Sequence, residues 1–145
     1  MPELDWKPLW RRDSRIARRR PWLAACTALL AVFAWAGAIG LVTGAVDLGA
    51  VVIERLPFHS TGFAGLSLAL IVGVPMTVVT VLGARRDTRT SPAAVLAGAA
   101  LIGWIVVEIG VIRTYNVLQP ACALAGLAVL VAGLKDFGAP GPHER

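Results

Sequence analysis

The residues able to do chemistry gather in one stretch, residues 103–120, where Glu108 is the only ionisable side chain inside a long apolar run. Arg113 follows five residues later, and Asn116, Gln119 and Pro120 open the next apolar run. A carboxylate within hydrocarbon is costly unless it is paired, protonated or wet. Arg113 is off the i+3 and i+4 positions that neighbour Glu108 on a helix, yet it can reach back once the helix ends. Arg55 and His59, at the start of an earlier apolar run, are the other candidate partners, and Asn116 and Gln119 can complete a polar cap. Two readings follow. In one, Glu108 is a proton- or cation-responsive site, or a polar pocket opening outward. In the other it is a hydrogen-bonded anchor that locks the ends of neighbouring helices.

Other chemistry finds little support in the residues. His59 and scattered acids do not make a metal site, and His143 falls in the tail, so no metal is expected. No nucleophile–base arrangement, phosphate-binding glycine loop or paired catalytic carboxylates occur, so neither catalysis nor a cofactor is expected. Cys26 and Cys122 each lie near the start of their runs and so near opposite membrane faces, separated by most of a membrane about 30 Å thick, which makes a bridge within one chain impossible. With no C-x-x-C motif, both read as inert thiols.

The elements that position Glu108 follow from hydropathy. Hydrophobic residues make up 57% of the 145-residue chain and charged residues 16%, against roughly 45–50% and about 25% in soluble proteins. The mean hydropathy of +0.70 comes from four long blocks, residues 21–46, 58–83, 92–112 and 117–134. Each meets the requirement of about 20 apolar residues for a bilayer crossing. Backbone groups in hydrocarbon must bond within their own segment, so the blocks are predicted as helices. The expected fold is all-α, an integral membrane four-helix bundle of two antiparallel hairpins. Residues 1–20 form a basic juxtamembrane segment and residues 135–145 a disordered tail.

Charge sets the orientation. The net charge is +5, and the basic residues cluster in residues 1–20, in Arg85, Arg86 and Arg89, and in Lys135 and Arg145; only Arg55 and Arg113 fall on the other side. The positive-inside rule then places both termini in the cytoplasm of a multi-pass inner-membrane protein, with Glu108 roughly 24 Å from the cytoplasmic start of its helix, near the outer face. Without aromatic interleaving or a motif, the charge does not point to nucleic acid; the lipid bilayer is the expected partner of the N-terminal arginines. The Arg18-Arg19-Arg20 run, the Leu23-Ala24-Ala25-Cys26 lipobox spelling and the small residues at 34–38 resemble targeting signals. The apolar stretch runs on past them, so an uncleaved span is expected.

Within the runs, Gly40 and Gly44 stand at small-xxx-small spacing, suited to close helix approach. His59-Ser60-Thr61 opens the second run and Ser91-Pro92 the third, with Ser91 as a helix cap. Pro75 removes the bond to the carbonyl of Ile71 and should kink its helix, with Thr77 and Thr80 placed to rescue the freed group. Ala94, Ala97, Leu101, Trp104 and Glu108 share one helical face, which turns the acid toward protein rather than lipid.

The pattern Gly103-Trp104, Glu108, Arg113 and Leu118-Gln119-Pro120, with His59-Ser60 opening the second run, resembles the small four-helix membrane proteins of high-GC bacteria, the DoxX-like families among them. That resemblance implies an accessory or partner subunit. The small multidrug exporters differ, because their essential acid lies in the first span, which here has none. The leading expectation is a non-catalytic accessory or assembly subunit with a membrane-protein partner. A small homo-oligomeric transporter or channel using Glu108 is the alternative, and an outer-leaflet lipid-binding or lipid-modifying protein a third.

Overall fold

Backbone amides in an apolar run find partners most readily in their own helix, and helices are what the four runs form. The computed structural model describes residues 21–85, 87–113 and 115–137. The chain is all-helical, with no strand among the described residues. Four helices are long and apolar enough to cross a membrane: α1 (Pro21–Thr43), α3 (Thr61–Ala84), α4 (Thr90–Ile112) and α5 (Leu118–Phe137). A short helix, α2 (Ala50–Arg55), lies in the connection between α1 and α3. The juxtamembrane segment and the tail beyond Phe137 lie outside the described residues.

The ends differ from expectation for local reasons. α1 stops at Thr43 rather than Val46, because Gly44 takes a left-handed φ of 73° and the Val46 amide turns back to donate to the Gly40 carbonyl at 3.1 Å. Gly40 and Gly44 therefore end a helix and do not join two. α3 begins at Thr61, not at residue 58, since Ser60 is its cap: the hydroxyl accepts from the Phe63 amide at 3.2 Å. α4 begins at Thr90 without a side-chain cap. Asp87 orders that turn instead, its Oδ1 accepting from the Arg89 amide at 2.9 Å and its carbonyl from the Thr90 hydroxyl at 2.6 Å, so Ser91 sits inside the helix and is buried. α5 continues past Leu134 to Phe137.

Pro75 does not break α3. A π turn, Ala69–Gly73, precedes it, and the Val74 amide donates to Ala69, five residues back. The extra residue in that turn is a recognised way for a helix to accommodate a bend or an inserted constraint. Thr77 and Thr80 do return hydroxyls to the backbone, but to Gly73 at 2.7 Å and Met76 at 2.8 Å rather than to Ile71. Each is also bonded to α1. Trp35 Nε1 donates to the Thr77 hydroxyl at 3.1 Å, and the Thr80 hydroxyl lies 3.0 Å from that of Thr27.

Packing runs α1 on α3, α3 on α4 and α4 on α5, while α1 meets α5 only marginally. The centre is filled by Met76, Val79, Ala94 and Ala97, all fully buried, with Leu23, Ala34, Leu101 and Val129 around them. Between helices this rich in small residues, contact depends on how closely backbones approach. The glycines that permit this are ones the sequence pattern did not single out. A Cβ on Gly98 would stand 2.7 Å from the Gly126 carbonyl oxygen and the Leu130 nitrogen; one on Gly133 would meet the Ser91 oxygen at 2.9 Å; one on Gly65 would meet the Ala38 oxygen at 2.7 Å.

Candidate functional site

At the end of the bundle that carries the α4–α5 turn, the predicted polar cluster resolves into separate devices. Arg55, the last residue of α2, donates from Nη1 to the carbonyl of Ile112, the last residue of α4, at 2.8 Å. The final carbonyls of a helix lack intrahelical partners and carry partial negative charge, so the guanidinium closes α4 and ties the α1–α3 connection to it. Replacing Arg55 with glutamine is expected to lower stability by about 1 kcal/mol, measured by thermal unfolding in a mild detergent, with lysine recovering part of the loss.

Asn116 and Gln119 form a second device. Gln119 Oε1 accepts from the Asn116 amide at 3.3 Å, Asn116 Oδ1 accepts from the Leu118 amide at 3.4 Å, and the Gln119 amide donates to the Asn116 carbonyl at 3.0 Å. This is a variant of the capping box, Asn-x-x-Gln in place of the commoner Ser/Thr-x-x-Glu, with the Asn116 side chain on the Leu118 amide rather than on that of Gln119. The spacing is readable in the sequence as a helix start, which explains these two residues without a ligand. Asn116→Ala is expected to cost about 1 kcal/mol, read from the same unfolding transition.

His59 and Arg113 are exposed, and both adopt left-handed backbone, φ 51° in each. For Arg113 this conformation ends α4: its amide still donates to Ile109 at 3.1 Å, but its side chain makes no hydrogen bond or ion pair among the described residues. It does not reach back to Glu108. At five residues' separation the two start roughly 140° apart around the helix, and the left-handed turn does not restore the approach.

Glu108 is left apart. Along its helical face burial fades toward the turn: Ala94 and Ala97 are fully buried, Leu101 nearly so, and Trp104 and Glu108 only half-buried. The Cys122 thiol of α5 is an ionisable neighbour close enough to feel its charge. No hydrogen bond or ion pair reaches the carboxylate among the described residues, and no buried side-chain oxygen or nitrogen there lacks a partner. The carboxylate oxygens therefore keep open surface. Glu108 lies half-buried near the end of its helix, on the face that the sequence turned toward protein.

Beside it, a groove of about 430 Å³ separates the ends of α4 and α5, lined by Ile105, Ile109, Val117, Pro120 and Ala123, with Tyr115 and Asn116 at its mouth. Nothing in the residue types announces it. It arises because α4 and α5 touch backbone to backbone at Gly98 and Gly126 and leave space toward the turn, where Pro120 and Ala123 are small. No group of three or more metal-ligating side chains occurs among the described residues, and both cysteines are free. In comparisons with family models, curated proteins and solved structures, nothing matches this chain.

Proposed function

We propose that the chain is a multi-pass protein of the bacterial inner membrane, its long helices spanning as two antiparallel hairpins with both termini in the cytoplasm, and that it serves as a non-catalytic accessory or assembly subunit of a membrane complex. The membrane reading rests on the surface. Phe33, Val32, Leu96 and Val106 are each more than 60% exposed on helices long enough to span, and apolar surface on that scale requires lipid or protein cover. Basic residues concentrated at one end supply the orientation.

One observation carries the subunit reading: Glu108 has an open carboxylate on a long apolar helix, with no partner among the described residues. Intramembrane charges pair with another group or line a wet cavity. Among the described residues no cation reaches it, so the counter-charge is assigned to a partner subunit. The homo-oligomeric transporter reading has less support, because fully buried Met76, Val79, Ala94 and Ala97 fill the centre where a conduction path would need polar groups.

Affinity purification of the intact chain in a mild detergent tests the proposal. A stoichiometric membrane-protein partner is the expected result, and a monodisperse lone chain would count against it. Orientation has its own check, with Cys26 and Cys122 replaced by serine. An impermeant thiol reagent applied from outside should label Ala50→Cys and Tyr115→Cys but not Thr88→Cys; labelling at position 88 would reverse the assignment.

A further inference from the structure

We propose that the groove between the outer ends of α4 and α5 is a phospholipid site, in which one acyl chain lies along Ile105, Ile109, Val117, Pro120 and Ala123 and the headgroup phosphate rests on Arg113. This rests on the membrane reading above and adds to it a ligand and the residues that hold it.

The groove has the volume of a small-molecule site, which runs from roughly 300 to 1,000 Å³, yet its walls are apolar. The two amides that border it are committed to the helix start, with Asn116 Oδ1 and Gln119 Oε1 both on backbone N–H groups. A polar solute would find few partners on those walls. A hydrocarbon chain would recover the dispersion contacts that an unfilled groove forfeits. Depth agrees with such an occupant. Ile105 lies seven residues before the end of α4 at Ile112, about 10 Å below it at 1.5 Å per residue, so the groove runs from headgroup level into the outer leaflet.

A cation stands on the turn that leads to the groove. Arg113 stands two residues before Tyr115, is exposed, and has no acceptor for its guanidinium among the described residues. A guanidinium is suited to paired hydrogen bonds with phosphate oxygens. Arg55, the other cation of this end, is already bonded to the Ile112 carbonyl, which leaves Arg113 as the residue for the headgroup.

The test uses the full chain purified in a maltoside detergent and three probes: phosphatidylglycerol, a diacylglycerol with the same chains, and inorganic phosphate, with bound lipid counted by native mass spectrometry. Phosphatidylglycerol should bind at one per chain, and diacylglycerol about tenfold more weakly, the worth of one charge-assisted contact. Arg113→Gln should bring phosphatidylglycerol down to the diacylglycerol level. Val117→Asp should abolish retention of both; Val117 is 85% exposed, so an unchanged unfolding temperature is expected and separates lost binding from lost fold. Equal binding of the two lipids, or no effect of Arg113→Gln, would overturn the phosphate contact. Retention by Val117→Asp would overturn the groove, and displacement of lipid by millimolar inorganic phosphate would overturn the lipid assignment. A chain that needs detergent for extraction yet binds no phosphatidylglycerol refutes the lipid site alone. Release by alkaline carbonate would refute the membrane reading with it.

Discussion

Gly98→Leu is expected to separate α4 from α5 and produce the largest loss of stability of any single substitution proposed for this chain. A side chain at position 98 starts 2.7 Å from the Gly126 carbonyl oxygen, 2.7 Å from the Leu130 nitrogen and 2.9 Å from the Leu130 Cα. All three are main-chain atoms of a helix whose own hydrogen bonds hold them in place, so no rotamer change relieves the overlap. Forcing extra atoms into a packed interior costs about 1–3 kcal/mol and occasionally more. This contact belongs at the upper end, because the first added atom already collides. Gly98→Ala should therefore be harmful too. Gly103→Ala is the control: a Cβ there meets nothing within 4 Å, so stability should stay within about 0.5 kcal/mol of the parent. Unfolding in a mild detergent, followed by circular dichroism, distinguishes the two; similar behaviour of Gly98→Leu and Gly103→Ala would contradict the interface.

Glu108→Leu is expected to leave the isolated chain folded and to release it from its complex. Among the described residues the carboxylate makes no bond that the substitution would break, and its half-buried position accepts a residue of similar size. In the proposed complex the same change removes one member of a desolvated pair. Stranding a buried charge costs about 3–5 kcal/mol, which corresponds to a loss of affinity of more than a hundredfold. Glu108→Gln should fall between, since an amide can still donate to or accept from the partner but does not neutralise a cation. Co-purified partner per chain gives the ratio directly. If Glu108→Leu lowered the chain's own unfolding temperature while the partner stayed bound, Glu108 would be an internal anchor instead.

The two predictions differ in how far the sequence foretold them. The four helices were readable because uncharged blocks of that length leave the backbone few alternatives in hydrocarbon. Their ends were less so, since an end is decided by one or two residues: Gly44 stopped α1 early, and Asp87 started α4 ahead of Ser91. Helix contacts were misread for a related reason. Glycine spacing marked Gly40 and Gly44, but Gly65, Gly98, Gly126 and Gly133 are the ones facing another backbone, and facing is a property of the assembled bundle.

At the candidate site, a shared end of the predicted spans suggested one cluster of six residues. Local backbone needs claimed three of them. Arg55 went to the Ile112 carbonyl, the Asn116 side chain to the Leu118 amide and the Gln119 side chain to the Asn116 amide. The Asn-x-x-Gln spacing carried that information and could have been used. The groove had no such signal, because it is the space left where small residues lie opposite one another.

The subunit reading is tested most directly by site-specific photo-crosslinking in intact cells, with a photoreactive phenylalanine analogue in place of Val107. That residue is 56% exposed and adjacent to Glu108, so the probe samples the surface beside the open carboxylate without entering the core. The expected result is one discrete protein adduct, lost when Glu108→Leu is combined with the probe, whose crosslinked segment carries an arginine, lysine or histidine. Adducts to lipid alone, or a protein adduct unchanged by Glu108→Leu, would contradict the assignment of a partner to Glu108.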